Sequence, residues 1–339
     1  MERVVLSVDA MGGDNAPECV LEGISGFLDE FEDTDIRLFG RSEKINAWYE
    51  TLSEKQIRVT LMDAPDVITM EDEPMLAVRR KGDSSLMLGL KDVKAGLSNG
   101  FVSAGSTGAL MLGSMVTLRC IKGISRPALA PVMPGLEAPF LLLDTGANAD
   151  CQSEYLNLFG LMGSVYMNKV MGVPNPRVGL VNIGTEEEKG SKLYKEAHAL
   201  MKNQTAYTFA GNLEARDIQY GKMDVAVADG FTGNVILKYA EGFAKCMLKT
   251  LKTEIMSTTK GKIGGLLLKP AFANVKKQLN ADEYGGAPLL GIDGVVVKAH
   301  GSSNGYAFGK ALAQARKMVL GNVVDTLKQG LIKIQDTEA

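Results

Sequence analysis

The chain has 339 residues, of which 45% are hydrophobic and 23% charged, with 38 glycines and a formal net charge of -3. That balance excludes a disordered or fibrous protein and leaves a globular one with many tight turns, long enough for one large domain or two modest ones. Four cysteines, Cys19, Cys120, Cys151 and Cys246, show no paired spacing, which argues against a zinc site or a disulfide framework and favours the cytosol.

Met1-Glu2-Arg3 leads into an apolar run ending at Asp9, too short for a signal-peptide core and suited to a buried strand over 4–8. A helix over 17–31, a strand over 36–39, a helix over 43–52 and a strand over 57–62 follow. This alternation predicts a parallel or mostly parallel sheet with crossover helices. From Ala95 to Leu118 no residue is charged, a span that could cross a bilayer. Five glycines, four serines, two threonines and Asn99 make it too polar for that, and predict a strand over 101–104, a glycine turn and a buried helix over 108–119. Further strands are expected over 128–133, 140–143, 178–182, 208–210, 224–228 and 295–298, with helices over 154–171, 192–202, 235–251 and 306–327. No internal repeat, low-complexity tract or long linker interrupts them. Between Lys245 and Lys277 eight lysines face one acid, Glu254, so this stretch carries +7 and the remainder -10. Such asymmetry suits either an acidic partner or surface, or a solvated helix face.

The strand ends carry the chemistry. Asp229-Gly230-Phe231-Thr232-Gly233-Asn234 stands between an apolar strand and an amphipathic helix, where unpaired N–H groups and the helix dipole attract an anion and glycines admit it to the main chain. Asp9-Ala10-Met11-Gly12-Gly13-Asp14, Ala104-Gly105-Ser106-Thr107-Gly108, Asp144-Thr145-Gly146-Ala147-Asn148 and His300-Gly301-Ser302-Ser303-Asn304-Gly305 also follow apolar runs. Ligands collect at such edges of an open parallel sheet, so the chain reads as a small-molecule enzyme. Neither G-x-x-x-x-G-K-[ST] nor G-x-G-x-x-G is present, which removes the nucleotide and dinucleotide signatures.

Gly301 to Gly305 matches G-x-S-x-G, but the only histidines, His198 and His300, both precede Ser303, the wrong order for an α/β-hydrolase triad. Ser302 and Ser303 are better read as phosphate donors at a helix N-terminus. Lys298 and His300 share a face if the strand continues that far, and could bind phosphate and protonate a reacting oxygen or sulfur; the alternatives are a snorkelling lysine and a structural histidine. His198 fits an ordinary helix pattern. Gly105, Ser106, Thr107 and Gly108 could cradle a phosphate or form a turn that needs glycine for its conformation. Asp9, Asp144, Asn148, Asn182, Asp229 and Asn234 would line one sheet edge, some orienting loops and others touching ligand. Three aspartates could hold a divalent ion, but no motif fixes metal ligands, and no metal is expected. Ile263, Leu266, Leu267 and Leu268 stand bare among Lys260, Lys262 and Lys269, as a buried helix hairpin or as an exposed apolar tip.

The strings VDAMGGDNAP, SAGSTGALM, SRPALAP, LLLDTGANADC, NPRVGLVNIGTEEEKG, VADGFTGNVILK and GGAPLLGIDGVVVKAHGSSNGYA resemble the successive motifs of the PlsX family of phosphate acyltransferases, in that family's order. The resemblance runs from Val8 to about Ala315. It implies an α/β fold similar to phosphotransacetylase and isopropylmalate dehydrogenase, with mostly parallel sheets, flanking helices and two domains around a cleft. It suggests one domain from 1–147 plus 286–339 and a second from 148–285 that carries the basic apolar helical segment near 245–277. It implies transfer of a fatty acyl group from acyl carrier protein to inorganic phosphate, giving acyl phosphate for phospholipid synthesis, without a cofactor. Lys298, His300, Asp229 and Asn234 then become candidate catalytic residues. Gly105, Ser106, Thr107, Gly108, Ser302, Ser303, Asp9, Asp144, Asn148, Asn182, Gly230, Thr232 and Gly233 become candidate phosphate or substrate ligands. The resemblance also favours the exposed tip, with Ile263, Leu266, Leu267, Leu268, Lys260, Lys262 and Lys269 touching an anionic membrane or the carrier. A cytoplasmic, peripherally membrane-associated homodimer is implied, with a downstream glycerol-3-phosphate acyltransferase as a further candidate partner and no nucleic acid. The competing functions are a short-chain phosphotransacetylase or an isopropylmalate-type dehydrogenase on the same fold, and a non-catalytic membrane scaffold.

Overall fold

A computed structural model describes residues 3–52, 58–279 and 281–338. The first third alternates as expected: β1 (Val4–Asp9), α1 (Glu18–Glu30), β2 (Thr34–Gly40), α2 (Ser42–Tyr49), β3 (Val59–Asp63), α3 (Pro74–Arg80), α4 (Ser85–Lys94), β4 (Gly100–Ser103) and α5 (Thr107–Thr117). Ile57, the first residue of the strand expected over 57–62, lies outside the described residues. Then come β5 (Ala128–Leu129), β6 (Val132–Met133), β7 (Phe140–Leu143), α6 (Ser153–Lys169), β8 (Arg177–Asn182), α7 (Lys192–Lys202), β9 (Thr208–Glu214) and β10 (Val225–Val227). The chain continues with α8 (Gly230–Met256), α9 (Thr259–Leu267), α10 (Lys269–Gln278), β11 (Ala287–Leu290), β12 (Val295–Lys298), α11 (Gly305–Leu320) and α12 (Val323–Glu338).

The strands form two sheets. A seven-stranded sheet runs β3-β2-β1-β4-β12-β11-β5 and a five-stranded one β6-β7-β10-β8-β9. Pairing is parallel except for β11 against β12 and β5, and β6 against β7. Val, Ile and Leu fill the central strands because crossover helices cover their faces, and residues of both sheets, from Leu6 and Val8 to Leu141 and Val225, belong to one continuous core. α1 lies against α11 so closely that a Cβ on Gly23 would meet the backbone of Gly305 and Gly309. Tyr166 of α6 accepts a 2.6 Å hydrogen bond from Gln314 of α11, joining helices that cover different sheets.

Several boundaries differ from the sequence reading. The strand expected over 128–133 is two short strands in different sheets, because Pro131 cannot donate to a ladder where the chain passes from one to the other. The chain therefore passes from one sheet to the other between Leu129 and Val132, and β6 and β7 belong to the second sheet. The helix expected over 306–327 breaks at Gly321 and Asn322, the latter in the left-handed region (φ 51°), and α12 turns back onto α6. α3, α4 and β11 had no clear sequence signal. The helix expected from 235 begins at Gly230, so the glycine motif is its first turn. The uncharged stretch forms β4, a turn and α5, and among the described residues no helix is long and apolar enough to cross a membrane.

Candidate active site

β1, β4 and β12 are parallel neighbours, so Asp9, Ser103 and Lys298 end them in one row. Asp9 is buried: its Oδ1 accepts from Ser85 Oγ (2.5 Å) and the Met11 N–H (3.0 Å), its Oδ2 from Ser103 Oγ (2.7 Å). Burial pushes its carboxyl above the usual range, and these donors oppose the shift. Lys298 is buried as well, and its Nζ donates to the carbonyls of Ala299 (2.5 Å) and Ala104 (3.2 Å). Burial brings it down to about 8, while the negative charges of Asp14 and Asp9 pull the other way.

The three turns after these strands interlock. The Asp14 N–H donates to Gly301 O at 2.8 Å, and Asn15 Nδ2 to Ser303 O at 3.1 Å. Gly13 has φ 104° and passes so near Ala104 that only glycine fits. Gly105 lies beside Asp9, Ser106 caps α5 through the Ala109 N–H, and Gly108 packs against Pro74, whereas Thr107 is exposed. β12 ends at Lys298, so His300 does not share its strand face as expected. It stands exposed in the following turn, where Nδ1 accepts from the Ser302 N–H (3.3 Å) and lies 2.9 Å from Ser302 Oγ. In the neutral ring this places the proton on Nε2. Ser303 is buried, and Asn304 Oδ1 caps α11 through the Ala307 N–H.

A second row comes from β7, β10 and β8. Here most of the expected ligand residues instead hold their own loops. Asp144, driven upward in pKa by burial, accepts from the N–H groups of Leu129 (2.9 Å), Ala147 (3.2 Å) and Asn148 (2.6 Å), and Asn148 Nδ2 donates to Pro127 O (2.8 Å). Asp229 caps α8 by accepting from Thr232 N–H (2.9 Å) and Thr232 Oγ1 (2.8 Å), and Tyr194 Oη donates to it at 2.5 Å. The expected anion seat at this helix thus already holds a carboxylate. Gly230 and Gly233 are glycine because a Cβ on either would collide with the 144–148 turn. Asn182 closes its own loop through the Ile183 N–H and Lys189 O. Among the described residues no group of three His, Cys, Asp or Glu side chains gathers as metal ligands.

The two rows meet at a small pocket lined by Thr107, Leu110, Met111, Leu129, Ala147, Leu289 and Lys298. Asn234, exposed, lies beside Gly146 next to this pocket. Asp14, Asn15, Ser85, Ser103 and Tyr194 were not singled out from the sequence. The first two and Ser103 lay inside quoted motifs and could have been; Ser85 and Tyr194 gave no local signal, since only the fold brings them to Asp9 and Asp229.

Away from the pocket, α9 and α10 bury no residue, and Ile263, Leu266, Leu267 and Leu268 are 51–77% exposed. The hairpin is therefore not buried within this chain. On α8, Phe231, Val235, Tyr239, Phe243, Met247 and Leu251 are also exposed, one every fourth residue.

This architecture is that of the phosphotransacetylases: the chain aligns with a phosphotransacetylase from Streptococcus pyogenes (TM-score 0.65, 16% identity, 94% of each chain) and with EutD phosphotransacetylase from Staphylococcus aureus (TM-score 0.58, 16% identity, 93% of this chain and 94% of that one). At such identity the likeness establishes the fold alone. The sequence goes further: the chain belongs to the family described as fatty acid synthesis protein, whose model matches residues 4–326, the PlsX family. It is 49% identical over 330 residues to a phosphate acyltransferase of Clostridium tetani (97% of this chain, 98% of that one) and 46% identical over 328 residues to one of Clostridium botulinum strain Loch Maree (97% and 98%).

Proposed function

We infer that this protein is a phosphate acyltransferase, moving a fatty acyl group from acyl carrier protein to inorganic phosphate. The observation that carries the reading is Lys298, a buried ammonium amid three interlocked glycine turns in a chain 49% identical to a phosphate acyltransferase. In this reading an oxygen of hydrogen phosphate attacks the thioester carbonyl carbon, the carbon–sulfur bond breaks, and the phosphate proton ends on the departing thiolate, with His300, in the turn that follows Lys298, as the candidate relay. Phosphate is already anionic and a thiolate leaves readily, so no covalent nucleophile is needed; the protein positions two charged reactants and steadies the tetrahedral oxyanion. Lys298, Ser302 and the 105–108 turn attract the phosphate, and Asn234, beside Gly146 in the turn whose Ala147 lines the pocket, assists from the other row. Asp229, Asp144 and Asn148 act by holding α8 and the 144–148 turn in place.

The α8 to α10 segment fits two further roles. Its exposed leucines among the eight lysines of 245–277 suit an anionic bilayer or an acidic carrier, and the ridge along α8 suits a second copy of the chain, which light scattering would read as twice 36.3 kDa.

The direct assay incubates the protein with acyl carrier protein thioester, with and without phosphate, and follows free thiol and acyl phosphate. Both products are expected to appear together, only with phosphate, and without nucleotide. Thiol release that ignores phosphate, or an acyl adduct on Ser303, would overturn the mechanism.

A further inference from the structure

None of the polar groups described so far would hold the tail of a fatty acyl substrate. The pocket at Lys298 is walled by Leu110, Met111, Leu129, Ala147 and Leu289, with the ammonium as its only charge, but it has room for about one water molecule (10 Å³). A long chain must therefore leave it. Helical spacing on α5 places Met111 and Met115 between Thr107, which faces the pocket, and Gly108, which faces Pro74 of α3. Both methionines are half-buried at the edge of a core cluster. On the α3 side Met70 and Met75 are 45% and 67% exposed, and Met70 Cε reaches the Gly301 turn. Two exposed methionines beside turns built for an anion make a local apolar strip. Unbranched thioethers on both sides give a wall that can re-pack around a flexible chain.

We propose that the acyl chain of the substrate lies along the seam between α3 and α5, with its carbonyl end at Lys298 and its tail over Met111, Met70 and Met75, and that these residues set chain-length preference. The assignment rests on the acyl-transfer reading above. Its chemistry matches both ends of an acyl phosphate: an ammonium for the anionic head and a methionine-lined strip for the tail.

The test compares sixteen-carbon and four-carbon acyl carrier protein thioesters. Met75→Glu, at an exposed position outside the core, should lower the ratio of their kcat/KM values at least about tenfold, as removal of several methylene contacts from an apolar wall would. Met111→Trp should shift the optimum to shorter chains, and Met70→Gln provides a second exposed variant should either misfold. An unchanged ratio in Met75→Glu and Met70→Gln overturns the seam. Equal loss for both thioesters also overturns it and makes the strip a contact for the carrier protein. Calorimetric binding of palmitoyl phosphonate, which cannot be transferred, separates this proposal from the acyl-transfer reading. Binding to the wild-type protein that Met75→Glu weakens at least about tenfold upholds the seam even where transfer fails. Binding that Met75→Glu leaves unchanged overturns the seam even where transfer succeeds.

Discussion

Lys298 is the residue whose environment most changes its chemistry. Burial lowers its pKa from 10.5 to about 8, so the ammonium is present below that point and is lost as pH rises through it, well before an exposed lysine would lose its charge. Phosphate binding that depends on this charge should therefore hold steady below about pH 8 and weaken above it, the KM for phosphate rising about tenfold per unit. Lys298→Arg should move that limb upward, because a guanidinium stays charged. A phosphate KM flat to about pH 10, near the value of an exposed lysine, would show that the ammonium does not meet phosphate. The sequence made Lys298 a candidate by its place at a strand end beside glycines. It could not show that the side chain is buried, since that depends on Ala104 and Asp14 arriving from the turns after other strands. His300 was legible in the same way, yet the end of β12 at Lys298 turned it to solvent.

The start of α8 shows how one element was read correctly in kind and differently in purpose. A glycine-rich junction between strand and helix was evident, and it is there, but Asp229 fills the helix N-terminus and the glycines serve contact with the 144–148 turn. Gly233→Ala should therefore destabilise the fold by about 1–3 kcal/mol or more, since a methyl group there has backbone to displace. Gly242→Ala, further along the same helix with nothing within 4 Å of the new methyl, should instead stabilise it by about 0.5–1 kcal/mol. Denaturant melts of the two variants check this, and equal effects would remove the packing account. α3 and β11 escaped the sequence reading for a related reason: both are short and lack clear periodicity, and each is held by neighbours, α3 by α5 and β11 by β5 and β12.

For the whole molecule, the asymmetry of charge between Lys245 and Lys277 and the rest of the chain coincides with a projecting, almost wholly exposed pair of helices. Burying several of these aliphatics at a bilayer would gain roughly 1.5–3 kcal/mol each at best, and each lysine near an anionic surface about 1 kcal/mol, enough together for reversible attachment. Leu267→Glu should release the protein from anionic vesicles while turnover of acyl carrier protein in solution stays near wild type. Loss of soluble turnover would instead make the leucines a carrier contact, and undiminished vesicle binding would remove the membrane role. By itself the sequence determined the α/β class, the alternation of strands and helices, the row of glycine turns and the family, because periodicity, turn chemistry and motif order are local properties of the chain. The tertiary structure alone decided that Pro131 divides one strand between two sheets, that Ser85 and Ser103 hold Asp9, that Asp144 and Asp229 brace loops, and that Lys298 is buried beside an apolar pocket. Those outcomes depend on side chains far apart in sequence packing together, and the desolvation and close approach that follow exist only once the sheets have formed.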